Sequence, residues 1–161
     1  MSQAIPELEL TSSEFSHEAD IPAKFTCEGE NINPKLEIDN VPKVAKSLVL
    51  IIDDPDAASE PAGIGKTFDH WIVFNISPDV SVIEEYSVPN GAIQGKNSAG
   101  NSAYTGPCPP TFKHRYYFKL YALDIELSLG ESATKADVEA AMKGHVLEQA
   151  ELIGLYEKQN K

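Results

Sequence analysis

Three apolar segments fix most of what this chain can become. KSLVLIIDDPD, residues 46–56, holds an unbroken run of Leu, Val and Ile closed by charge and proline. A short run without polar alternation, bounded in this way, reads as a strand buried on both faces. FDHWIVFNI, residues 68–76, is rich in β-branched and aromatic side chains and reads as a second central strand. RYYFKLYALD, residues 115–124, is a third. Strand alternation places His70, Ile72 and Phe74 on one face of the second segment and Trp71 and Val73 on the other.

Weaker signals surround this trio. LELTS, residues 8–12, alternates as an edge strand; KFTCEGENINP, residues 24–34, begins as a strand and ends as a loop; KLEIDNVP is a short strand stopped by proline. Prolines and most glycines fall in the first two thirds of the chain, which suits short strands joined by turns. Residues 77–113 are long and irregular, a pattern typical of functional loops. Thr134 with Asp137 three residues later predicts a capped helix through Met142, broken at Gly144. A second helical segment is expected over His145 to Ala150, and ELIGLYEK closes the chain as a strand. The expected fold is mainly β, a single domain over residues 1–161, with one or two C-terminal helices packed on an antiparallel sheet.

The 161 residues are enough for one domain with its own core. A net charge of −12, with thirteen scattered Lys and Arg, argues against nucleic acid as a partner. A local pocket for one small anion is still compatible with that surface. No apolar run is long enough for a membrane span, and MSQAIPELEL lacks a secretory pattern, so a cytoplasmic location is expected. Two cysteines, Cys27 and Cys108, form neither a zinc framework nor a disulfide scaffold, and free thiols are the expected state. Exposed strand edges make a homodimer a reasonable expectation.

Few residues carry chemistry. Asp54 and Asp56 flank Pro55 at the end of the first central strand and face the same way if the chain stays extended. Taken alone they also fit a solvated turn. His70 begins the second strand beside the tryptophan, and His114 and Tyr116 share a face at the start of the third, with Arg115 turned away. If neighbouring strands bring these ends together, Asp54, Asp56, His70, His114 and Tyr116 ring one concavity suited to a small oxyanion. The histidines and Tyr116 would donate to it, an Asp would orient an imidazole, and the prolines from 107 to 110 would form the wall. Metal binding ranks lower, because no HxH or HExxH spacing is present, and no cofactor is expected. Cys108 between prolines lacks an activating environment, and Ser98 and Ser102 lack a GxSxG elbow. His17 and His145 fit surface or capping roles.

DPDA (54–57), HW (70–71), GPCPP (106–110) and HRY (114–116), in this order and spacing, resemble the phosphatidylethanolamine-binding protein family, known also through its Raf-kinase-inhibitor members. FTCEG (25–29) and YALD (121–124) resemble its compact bacterial and archaeal branch, and the likeness runs from about residue 8 to about residue 157. The resemblance implies a large central antiparallel sheet, a smaller sheet against it and C-terminal helices. It also implies an anion pocket for phosphate-like groups, including phospholipid heads, formed by Asp54, Asp56, His70, His114 and Tyr116 with Pro109 and Pro110 in the wall. The family binds lipid headgroups and inhibits kinases or serine proteases.

The chain departs from the family pattern in places. Ala58 follows DPDA where a proline is usual, and Thr111-Phe112-Lys113 replaces a common glycine. Phe112 is expected to cap the pocket mouth and Lys113 to add positive charge there. The C-terminal extension of larger eukaryotic members is absent, so their extra contacts do not transfer. Both cysteines fall in segments that resemble the compact branch and approach the pocket, which keeps a Cys27–Cys108 disulfide as the alternative to free thiols. The leading expectation is a non-enzymatic binding protein for a phosphate-type anion that regulates a kinase or protease. A loop-borne protease or kinase inhibitor and a hydrolase using the pocket Asp and His residues are the alternatives.

Overall fold

The computed structural model describes residues 6–61, 63 and 65–160. Residues 1–5, part of the stretch read for a secretory signal, lie outside the described residues. In chain order the strands are β1 (Glu9–Thr11), β2 (Ala19–Asp20), β3 (Leu36–Asp39), β4 (Ser47–Asp54), β5 (Phe68–Ile76), β6 (Val82–Ile83), β7 (Ile93–Gln94), β8 (His114–Leu123) and, after helix α1 (Lys135–Met142), β9 (Val146–Tyr156). They form a six-stranded sheet in the order β2-β9-β8-β4-β5-β7 and a three-stranded sheet in the order β1-β3-β6. All pairings are antiparallel except β2 with β9.

The three apolar segments become the adjacent strands β8, β4 and β5, and every residue of β4 is buried. Leu48, Leu50 and Ile52 face Leu10, Leu36, Ile38 and Ile83 of the small sheet. Val49 and Ile51 face the opposite layer, where Leu127, Ala133, Val138 and Met142 cover them. Full burial of each such side chain contributes roughly 1.5–3 kcal/mol, so this strand is anchored from both sides. Asp53 continues the helix-side face, where Lys119 and Lys135 neutralise it at 3.0 and 3.2 Å. Asp54 falls on the small-sheet face.

α1 starts as its sequence predicts. The Thr134 side chain accepts from the Asp137 N–H, and the Asp137 carboxylate accepts from the Thr134 N–H, a reciprocal capping box. Thr134→Ala is expected to lower stability by about 1 kcal/mol in urea unfolding, with an unchanged m-value.

The expected second helical segment at 145–150 is instead the start of β9. Gly144, at φ +84°, turns the chain, and β9 then pairs with β8 from Leu123↔Val146 to His114↔Tyr156. Buried backbone groups on that side of β8 require partners, and this ladder outweighs the local helical preference. The strand expected at the start of residues 24–34 is also absent. Ala23–Phe25 forms a 3-10 turn behind Pro22, held by the Thr26 hydroxyl donating to the Ala23 carbonyl at 2.8 Å.

β5 breaks simple alternation. Ile52 pairs with Trp71 but Asp53 pairs with Asp69, so His70 is an extra residue in the ladder, a β-bulge. Trp71 and Val73 lie in the core under the small sheet, and His70 joins that same side rather than the side of Ile72 and Phe74.

Candidate functional site

The central strands present their polar ends together on the small-sheet face. There Asp54 ends β4, Phe68 and His70 open β5, and His114 and Tyr116 open β8. With Ala57, Glu60, Gly63, Thr105, Gly106, Cys108, Pro109 and Pro110 they line a cavity of about 210 Å³. Of the residues predicted for the site, Asp54, His70, Pro109, Pro110, His114 and Tyr116 line it.

Asp56 does not line the cavity. The chain fails to stay extended after Asp54, because Pro55–Ser59 coils into a 3-10 helix that runs through Ala58. Asp54 Oδ1 caps this turn, accepting from the N–H groups of Asp56 at 2.9 Å and Ala57 at 3.2 Å. The turn swings Asp56 outward to a two-point pairing with Arg115, whose Nε and Nη2 donate at 2.9 and 2.8 Å. The guanidinium holds the Asp56 carboxyl below its ordinary range. Arg115 therefore faces away from the cavity, as expected, and takes Asp56 with it.

His114 sits at the centre of the polar wall. Its Nδ1 lies 2.6 Å from Asp54 Oδ2, and its Nε2 lies 2.6 Å from Glu60 Oε2. All three side chains are almost fully buried, at 2–4% exposure. Two such short contacts require two protons among the three groups. They sit either as an imidazolium between two carboxylates or as a neutral ring beside one protonated carboxyl. Burial raises the Asp54 carboxyl above its ordinary range, against the opposing pull of His114. At Glu60 burial also pushes upward, but hydrogen bonds from Thr111 and His114 prevail and lower it. The Thr111 N–H donates to Glu60 Oε2 at 3.4 Å and its hydroxyl to Oε1.

His70 has a different role from the one expected. Its Nδ1 lies 2.6 Å from the Thr105 carbonyl, an acceptor, so the proton sits on Nδ1. Nε2 is buried with no partner among the described residues. Burial pushes the ring down to about 4, so at neutral pH Nε2 is a bare acceptor rather than a donor. The ring packs between Phe68 at 4.6 Å and, edge-on, Tyr116 at 5.3 Å. Burial holds the Tyr116 phenol well above its ordinary value, so it stays neutral.

The proline wall is anchored from behind. Cys108 is bonded to Cys27, so the free thiols expected by default give way to a disulfide. The bridge joins two irregular segments 81 residues apart in sequence, and the Cys27 N–H donates to the Pro107 carbonyl at 3.1 Å beside it. Gly106 packs so closely on this segment that a Cβ there would meet the Phe25 carbonyl at 2.4 Å. Phe112 lays its ring against His114 at 4.6 Å and Lys113 reaches Asp20 at 3.1 Å, and neither lines the cavity. Ser98 and Ser102 serve backbone groups of Asp69 and Glu131 and lie outside the cavity lining.

Glu60, which lines the cavity, and Thr111, which holds it from outside the lining, are the polar groups that sequence reasoning missed. Glu60 stands alone in a Pro- and Gly-containing stretch without periodicity, and its partner His114 is 54 residues away. Nothing local marks it. The departure at 111–113 was the visible signal for Thr111.

Comparison with known proteins agrees with the architecture. Residues 11–157 match the family described as phosphatidylethanolamine-binding protein. A UPF0098 protein of Methanothermobacter thermautotrophicus is 49% identical over 156 residues, covering 94% of this chain and 99% of the relative. The crystal structure of CT736 from Chlamydia trachomatis, described as a homologue in the same family, superposes with a TM-score of 0.89 at 47% identity, covering 95% of this chain and 99% of that one. YbcL of E. coli, described as a member of the mammalian family, gives 0.86 at 29% identity, covering 96% and 100%. The match covers nearly the whole described chain, both sheets and every strand end that meets at the cavity, and the chain therefore belongs to the phosphatidylethanolamine-binding protein family.

Proposed function

We propose that this chain is a non-enzymatic binding protein whose cavity takes a small phosphate-type group, free or as part of a phospholipid headgroup. One observation carries the reading. The His114 ring, the Thr111 N–H and the Thr111 hydroxyl converge on a single carboxylate at the cavity wall, a set of donors built around an oxyanion. Asp54 supports this set from behind by fixing the His114 ring through Nδ1.

His70 refines the ligand. Its bare Nε2 favours a group that still carries a hydrogen, such as a singly protonated phosphate oxygen or the ammonium of ethanolamine. The strongly acidic chain points the same way, since a zwitterion suffers less repulsion than a fully ionised phosphate. Phe68, Pro109 and Pro110 offer apolar contact for the remainder of a headgroup. Regulation of a kinase or protease by such a chain would run through occupancy of this cavity.

Nuclear magnetic resonance titration tests the proposal. Inorganic phosphate or phosphoethanolamine at millimolar concentration is expected to shift the ring resonances of His70 and His114 together, with one saturation curve. Unmoved resonances for both rings with both compounds would end the reading.

A further inference from the structure

The donors at His114 and Thr111 already hold an anion, and it belongs to the protein. Glu60 Oε2 lies 2.6 Å from His114 Nε2, and the same carboxylate takes both Thr111 donors. Its side chain is 2% exposed, so it is seated in the wall rather than laid across the mouth. With Asp54 occupying Nδ1, Nε2 is the one ring position of His114 left for a ligand, and Glu60 fills it.

We propose that Glu60 is a tethered competitor that determines affinity and selectivity in this cavity: a phosphate-type ligand reaches His114 Nε2 only by displacing the Glu60 carboxylate. The inference rests on the phosphate-type reading above. Asp54 does not act in the same way. One of its oxygens caps the 3-10 turn and the other orients the imidazole, so it is a positioning residue on the far side of the ring.

Two consequences follow. A tethered group lowers the apparent affinity by the fraction of molecules in which it has left. It also sets a threshold on the ligand, which must match three donors better than a carboxylate does. Inorganic phosphate or a phosphate monoester, with at least three terminal oxygens and more charge, can; a simple carboxylate cannot improve on the tethered one. The cavity therefore discriminates phosphate-type ligands from carboxylates through a residue that the ligand replaces.

Calorimetric titration of the unchanged chain, Glu60→Ala and Glu60→Gln with inorganic phosphate, phosphoethanolamine and acetate tests this. Glu60→Ala is expected to bind inorganic phosphate roughly tenfold more tightly than the unchanged chain, and to bind acetate measurably for the first time. Glu60→Gln, which keeps the shape but not the charge, should tighten phosphate by a smaller factor and guards against a folding defect in the alanine variant. A gain confined to inorganic phosphate supports displacement by the free anion; a gain with both phosphate compounds supports displacement by the headgroup phosphate as well. If the unchanged chain binds phosphate and both variants bind it equally or more weakly, Glu60 is a supporting residue and the inference is wrong. If neither the chain nor either variant binds any phosphate compound, the phosphate-type reading itself fails, and this inference with it.

Discussion

Replacing both cysteines, as Cys27→Ser with Cys108→Ser, is expected to destabilise the fold by roughly 4–5 kcal/mol and to lower Tm by about 10–15 °C. The magnitude comes from the length of chain that the bridge closes, 81 residues of sequence separation. Cross-linking so long a loop removes much of the freedom of the unfolded chain, which is the main source of stabilisation in the loop-closure account. The folded state should change little. The Cys27 N–H still donates to the Pro107 carbonyl, the Gly106 N–H still donates to Asn31 Oδ1 at 2.8 Å, and the Tyr104 hydroxyl still donates to the Phe25 carbonyl at 2.7 Å. The proline wall should thus persist at room temperature, and the ligand binding proposed for the cavity should weaken far less than stability. Calorimetric unfolding of the double variant beside the oxidised chain checks this. A loss under about 1 kcal/mol would show that the unfolded chain is already compact around these segments.

Acid is expected to remove about 3 kcal/mol of stability through His70 alone. The folded ring sits at about 4, below the ordinary value of 6.5, so the unfolded chain binds this proton more tightly. The stabilisation is therefore complete above about pH 6.5 and is lost progressively as the pH falls toward 4. Asp54 works in the opposite sense. Burial raises its carboxyl, so the fold retains that proton better than the unfolded chain does and recovers part of the loss on acidification. Urea unfolding across this interval, for the unchanged chain and for His70→Asn, separates the two. The variant should show a flatter pH profile, even if it is less stable at neutral pH. Equal slopes for the two proteins would mean that the His70 ring is not held neutral by burial.

How far the sequence was legible depended on the range of the interaction involved. β4, β5 and β8 stand out because consecutive side chains carry the signal, and Thr134 with Asp137 marks a helix start within three residues. β9 was half hidden: VLEQA has the composition of a helix, and only the ladder to β8 makes it a strand. Asp56 misled because spacing of two implies a shared face only in extended chain, and Asp54 itself caps the turn that ends the extension. His70 was identified as a site residue but given the wrong neighbours, since a bulge cannot be seen in one strand without its partner. Glu60 and the Cys27–Cys108 bond belong to the least legible class, pairs that meet across 54 and 81 residues with no local pattern.

The extra residue at His70 divides β5 into two stretches of opposite phase. Upstream, Phe68 and His70 serve the cavity while Asp69 turns to Lys135 of α1 at 2.7 Å; downstream, Trp71 and Val73 serve the core under the small sheet. Side chains at 68 and 70 are thereby free to change in kind without altering which residues pack the core. Deleting His70 would leave Asp69 opposite Asp53 and Trp71 opposite Ile52, a regular ladder that keeps the core and the Asp69–Lys135 contact but removes the imidazole from the cavity. The bulge thus separates the lining of the cavity from the packing of the core, and the chemistry at 68 and 70 can vary while Trp71 and Val73 keep their places.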